Sequence, residues 1–140
     1  MCSSDLDVTG FGLIGHLHDM LRGTSGPTGV GVEIWADQVP VLDGVAELIA
    51  RGFVPGGTRR NEAGFSSWVD FHPVVDATTR TVLFDAQTSG GLLIAVQEER
   101  TADLLRALGA RGAPERAVIG RFTDKRQGRI EVCKLERRDA

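Results

Sequence analysis

Apolar positions along the chain fall into short blocks of two kinds. Leu13, Ile14, Leu17, Met20 and Leu21 recur on one helical face, and Gly23 stands where a helix-ending glycine belongs. Val30, Val32 and Ile34 alternate with Gly31, Glu33 and Trp35, which predicts a strand over 30–35. Beyond Pro40 the pattern predicts a helix from about Leu42 to Ala50, with Val41, Val45, Leu48 and Ile49 turned inward and Gly52 as its stop. Asn61 reads as the N-cap of a short helix running through Val69, and 70–80 as irregular or a short helix around Asp76–Arg80. The unbroken apolar run Leu92–Val96 reads as a buried strand. A helix from about Glu98 to Leu108 follows it, with Ala102, Leu104, Leu105 and Leu108 inward. Ala117–Phe122 and Arg129–Lys134 read as two closing strands joined by a turn near Gln127 and Gly128. This order predicts an α+β or mixed α/β sandwich with helices over at least one sheet face.

Length and composition narrow the class. At 140 residues the chain predicts one domain, large enough to bury a core without staples. Hydrophobic residues at 41% and charged residues at 25% exclude global disorder. No apolar run approaches the roughly 18 residues of a membrane span, and no secretory signal is visible, so a cytoplasmic protein is expected. Cys2 and Cys133 are too few for a disulfide framework or a zinc site. Tyrosine is absent and aromatics total 6%, which argues against a stacking platform for single-stranded nucleic acid. Residues 1–99 carry 5 basic and 13 acidic side chains and 100–140 carry 11 and 6. The basic charges are mixed in sign with acids and read as a solvated face, so no nucleic-acid partner is expected. Residues 1–6 show no period, and Cys2–Leu6 is what one reading frame of a sequencing-adapter end encodes. They are set aside from the fold: read as a foreign scar, they lead to the expectation that the chain starts inside a larger gene, and the alternative is a natural disordered N-terminus.

Three glycine-rich segments carry the candidate chemistry. In Asp7-Val8-Thr9-Gly10-Phe11-Gly12, glycines ahead of a helix free N–H groups for an anion. A carboxylate there makes sense if Mg²⁺ bridges it to phosphate, and equally if Asp7 or Thr9 is only an N-cap. In Pro55-Gly56-Gly57-Thr58-Arg59-Arg60-Asn61, the two arginines fit either a phosphate clamp or a surface loop. Gln87-Thr88-Ser89-Gly90-Gly91 allows close backbone approach to a ligand, or is a tight turn. Neither a Walker loop nor a dinucleotide fingerprint is present. His16 and His18 face apart on their helix and read as solvated or packing residues. His72 has no partner nearby in sequence, Cys133 reads as a small core residue, and Trp35 and Trp68 read as packing residues.

Taken together, Asp-Val-Thr-Gly-Phe-Gly-Leu-x-Gly-His at 7–16, Pro-Gly-Gly-Thr-x-x-Asn at 55–61 and Gln-Thr-Ser-Gly-Gly-Leu-Leu at 87–93 resemble selenophosphate synthase. The likeness is to its C-terminal domain, a type shared with aminoimidazole ribonucleotide synthetase. It spans 7 to about 134, with Ala86 where a proline is expected. The resemblance implies an α+β fold, a three-layer α/β/α sandwich with a mixed sheet, partly ferredoxin-like. The domain is taken as 7–136, with 137–140 a tail. It implies an ATP-using enzyme making selenophosphate, AMP and phosphate from selenide, ATP and water, with Mg²⁺, as a homodimer built through an N-terminal domain. It carries Asp7 over as a magnesium ligand. Thr9 and Gly10 are expected near the nucleotide phosphates. Thr88, Ser89, Gly90 and Gly91 are expected at the domain cleft and are counted as nucleotide-binding without individual roles. The family's nucleophilic Cys or selenocysteine, its catalytic Lys and its ATP loop have no match here, nor do Cys2 and Cys133 match that nucleophile. The isolated chain is therefore expected to be inactive. Two alternatives remain: another enzyme of the same superfamily, and a non-catalytic nucleotide- or partner-binding domain.

Overall fold

A computed structural model of the protein describes residues 4–23 and 29–135. The elements run β1 (Ser4–Asp7), α1 (Gly12–Gly23), β2 (Gly31–Trp35), α2 (Val45–Ala50), α3 (Gly56–Phe65), β3 (Val69–Phe71), α4 (Ala77–Leu83), β4 (Leu92–Ala95), α5 (Glu98–Ala110), β5 (Gly120–Thr123) and β6 (Ile130–Cys133). The class is α+β with a mixed sheet, as expected. Four strands form that sheet in the order β3-β6-β2-β5. β6 runs parallel to both β3 and β2, and β5 runs antiparallel to β2. β1 and β4 pair antiparallel as a separate ribbon.

The core forms where the two periodicities meet. Ile14, Leu17, Met20 and Leu21 of α1, Val32 and Ile34 of β2, and Ile130 and Val132 of β6 are all buried. Helix α1 packs against α3, α4, β1 and β6. Leu83 and Phe84, at the end of α4, complete the same cluster. α4 starts where Asp76 accepts from Thr79 N at 2.9 Å, an N-cap. Among the described residues, no helix is long and apolar enough to cross a membrane.

Several expectations are corrected. The two closing strands are not partners: β2 lies between β5 and β6 and pairs with both. The Gly-rich segment at 56–61 is no loop but the first turns of α3, so Asn61 is interior to a helix rather than its cap. Val69 belongs to β3, a strand the short sequence Val-Asp-Phe did not announce. β4 pairs only with β1, and Leu92 and Val96 are exposed, so it is an edge ribbon rather than an interior strand. Residues 4–6, set aside above, lie in β1 opposite Leu93–Ala95; residues 1–3 lie outside the described residues. α2 begins at Val45 and buries no residue, and α5 buries none either: Leu104, Leu105 and Leu108 are half-covered and Ala102 is exposed. An amphipathic stripe specifies a face and not what covers it.

Parallel β3 and β6 are stitched by charge. Arg129, next to β6, donates from Nε and Nη2 to Asp70 of β3 at 3.0 and 2.6 Å, and from Nη1 to Ser67 O at 2.7 Å. Arg126 adds a bond at 3.2 Å. The Arg129 guanidinium holds the Asp70 carboxyl below the usual carboxylate range. A carboxyl with a lowered folded pKa stabilises the fold above the unfolded value of about 3.9, and that contribution is lost as pH falls through the folded value. Asp70→Asn is therefore expected to cost about 1 kcal/mol or less at neutral pH, given partial exposure. Urea midpoints of the two proteins are expected to converge progressively as pH falls below about 3.9. A gap that persists unchanged at low pH contradicts this account.

Candidate functional site

The three glycine-rich motifs, distant in sequence, meet at one place. β1 ends at Asp7, opposite Leu92. The ladder continues past it: Val8 N donates to Gly91 O at 2.9 Å and Gly90 N donates to Val8 O at 3.0 Å. Gln87 N donates to Thr9 O at 3.1 Å. Segments 7–10 and 87–91 therefore lie side by side. Gly90 is required by this approach, because a Cβ there would overlap Val8 O.

The motif at 55–61 holds that junction from below. Thr58 and Asn61 are one helical turn apart on α3 and both are buried. Asn61 Nδ2 donates to Gly10 O at 2.8 Å and to Phe84 O at 3.0 Å, so one amide spans the first and third segments. Thr58 Oγ1 donates to Asp85 Oδ1 at 2.7 Å and accepts from Ala86 N at 3.2 Å. Gly12 starts α1 with φ +69, and a Cβ there would stand 2.8 Å from Asp85 O. Two constraints, left-handed backbone and contact with main chain, thus converge on glycine at that position.

The predicted residues are placed as follows. Asp7 is exposed, and among the described residues its carboxylate has no hydrogen-bond or ion-pair partner. It lies in a strand five residues ahead of α1, which removes the N-cap alternative for its side chain. Thr9 is half-buried and bonded to His16, so it is no cap either. Gly10 is exposed in the turn, with its carbonyl on Asn61. Thr88, Ser89, Gly90 and Gly91 are exposed on the neighbouring segment. Arg59 and Arg60 are exposed on α3, and the Arg60 guanidinium comes within 4 Å of where a Cβ on Gly56 or Gly57 would stand.

Residue-level reasoning missed four members of the junction: His16, Thr58, Asn61 as a bridge, and Asp85. The only advance signal was the motif itself, since a buried Thr and Asn three apart look like any polar helix face. His16, expected as a solvated or packing residue, instead sits with Nε2 3.1 Å from both Thr9 N and Thr9 Oγ1. His18 packs on Phe65 and Trp68, at ring-centroid distances of 5.5 and 4.8 Å. Cys133 is half-buried, and burial, with Glu33 nearby, pushes its thiol up, the opposite of an activated nucleophile.

Two concavities lie away from this junction or only touch its flank. One of about 420 Å³ is lined by His18, Leu21, Arg22, Trp68 and Gly128. The other, about 180 Å³, lies between α2 and α4 and reaches Asp85. Neither includes Asp7, Thr9 or 88–91. Among the described residues there is no group of three or more His, Cys, Asp and Glu side chains able to hold a metal by themselves. An exposed, unpaired carboxylate fits Mg²⁺ as one ligand of a set completed by phosphate and by groups from elsewhere, because Mg²⁺ commonly takes only one or two carboxylates.

Residues 6–133 match the family described as AIR synthase related protein, C-terminal domain. Among curated proteins, the chain is 44% identical over 126 residues to the selenide, water dikinase of Cronobacter sakazakii, covering 90% of this chain and 34% of that protein. It is 35% identical over 130 residues to the protein of that name from Clostridioides difficile, covering 93% and 36%. It is 40% identical over 126 residues to that from Pelobacter propionicus, covering 90% and 35%. The chain spans about a third of the length of these relatives.

Proposed function

The chain belongs to the AIR synthase related protein C-terminal domain family, and from that premise we propose that it is the C-terminal third of a selenide, water dikinase. The whole enzyme would convert selenide, ATP and water into selenophosphate, AMP and phosphate. This domain would face the nucleotide phosphates. The observation that carries the reading is the convergence of 7–10 and 87–91 on α3, locked by Asn61 and Thr58. That arrangement leaves the Asp7 carboxylate, exposed and without a partner among the described residues, in the strand next to the exposed segment 88–91.

Asp7 would hold Mg²⁺ together with the phosphates and with ligands from outside this chain. Mg²⁺, when bound, neutralises phosphate charge as a phosphoryl group transfers. Thr9 and Gly10 follow Asp7 in the same segment and would lie near the phosphates. Thr88, Ser89, Gly90 and Gly91 would line the same cleft, where side chains small enough to let a ligand approach the backbone are an advantage. Among the described residues the one thiol, Cys133, is not activated, so the share of catalysis we assign to them is placement and electrostatics.

The test is a chimera. The N-terminal two-thirds of the Cronobacter sakazakii relative is joined to this chain, and AMP release from ATP is measured with and without selenide. The chimera is expected to release AMP in a selenide-dependent manner and the 140-residue chain alone to release none. Turnover by the chain alone overturns the division of labour; a folded chimera without selenide-dependent AMP overturns the assignment.

A further inference from the structure

The bond between His16 and Thr9 decides what kind of group the 7–12 turn can meet. His16 lies in the second turn of α1, and its side chain leans back toward the helix start, as helical side chains do. Phe11 lies against its ring at a centroid distance of 5.8 Å and makes an edge contact with Phe65 at 6.0 Å. Gly15 leaves the room for both phenyl rings: a Cβ there would stand 2.5 Å from Phe11 Cβ and 2.9 Å from Phe65 Cε2.

Nε2 stands 3.1 Å from the Thr9 main-chain nitrogen. A peptide N–H can only donate, so Nε2 accepts and carries no proton, and the neutral ring carries its proton on Nδ1. Thr9 Oγ1 also stands 3.1 Å from Nε2. Beside an unprotonated nitrogen a hydroxyl turns its proton in, so both Thr9 donors share one acceptor. What Thr9 Oγ1 then offers outward is lone pairs alone. Lone pairs suit a cation or its water shell, whereas a bare phosphate oxygen asks for a donor.

Resting on the function proposed above, we propose that His16 is a positioning residue that fixes Thr9 as an acceptor beside Asp7, so that this turn meets a divalent cation rather than a phosphate oxygen. The role of Thr9 thereby shifts from the phosphate side of the site to the metal side. His16 touches neither ligand; it acts through Thr9.

The experiment uses the ¹⁵N-labelled 140-residue chain in solution. A nitrogen–nitrogen coupling across the hydrogen bond is expected between Thr9 N and His16 Nε2, with Nε2 showing the shift of an unprotonated ring nitrogen. Mn²⁺, as the probe cation, is expected to broaden the amide signals of Asp7 to Gly10. His16→Leu is expected to need about tenfold more Mn²⁺ for the same broadening, the equivalent of one lost hydrogen bond. His16→Gln, whose amide oxygen can take the place of Nε2, is expected to return to within about threefold of the parent chain. Inorganic phosphate without metal is expected to leave Thr9 unmoved.

Absence of the coupling overturns the assignment of His16 by itself. A folded His16→Leu with the parent's Mn²⁺ response shows that the bond serves the fold only, and overturns the positioning role. Phosphate alone shifting Thr9 as strongly as Mn²⁺ overturns the acceptor assignment. Where the parent chain keeps the coupling but does not respond to Mn²⁺, the titration is repeated in the chimera described above with ATP present, which supplies the remaining ligands; no response there overturns the metal reading of this turn, and with it the task given to His16. Should His16→Leu not fold, the coupling in the parent chain and the Mn²⁺ response of His16→Gln decide.

Discussion

Asn61→Ala is expected to lower stability by about 2–3 kcal/mol, in the upper part of the usual range for one substitution. Its side-chain amide lies in the buried junction and gives both protons away, one to Gly10 O and one to Phe84 O. Truncation leaves two carbonyl oxygens without this donor: the orphaned buried Phe84 O costs about 1–3 kcal/mol, and Gly10 O, in an exposed turn where water can replace the amide, costs less. Asn61→Asp distinguishes bonding from volume. It keeps the size but turns an acceptor toward two acceptors, and is expected to be at least as damaging as alanine. Urea and thermal melts of the three proteins check this. An Asn61→Ala midpoint within the error of the parent's removes the junction as the element that organises the site.

Asp7→Asn, made in the chimera described above, is expected to reduce selenide-dependent AMP release by at least about a hundredfold, as the loss of a charged group acting on the transition state does. The fold is expected to survive intact, because the carboxylate is exposed and no described residue bonds to it. Asparagine keeps size and hydrogen-bonding capacity and removes only the negative charge, so the comparison isolates charge. Circular dichroism and the melting midpoint serve as controls. Activity within a few fold of the parent would mean that the carboxylate holds no cation during turnover.

These two variants separate what the molecule uses for shape from what it offers to a ligand. Asn61 is buried and gives both amide protons to main-chain oxygens; Asp7 is exposed and has no bonding partner among the described residues. Both belong to motifs visible in the sequence, and no property of the sequence tells the two classes apart. Asn61 read as an N-cap because Asn follows a Gly-rich stretch, a pattern that caps and bridges share. Its role depends on Gly10 and Phe84, which reach it only through the packing of α3 against α1 and the end of α4.

The chain's own order of residues determined the α1 stripe, the alternation of β2, the α+β class and the three motifs, because each depends on neighbours within a few positions. Partners were another matter. That β2 separates β5 from β6, that β4 is an edge ribbon with β1, that α2 and α5 bury nothing, and that His16 turns back onto Thr9 all depend on which surfaces meet in space. Periodicity encodes which face of an element avoids water, an energy set locally. The identity of the group that covers that face is set by contacts between residues tens of positions apart, and only the folded chain resolves them.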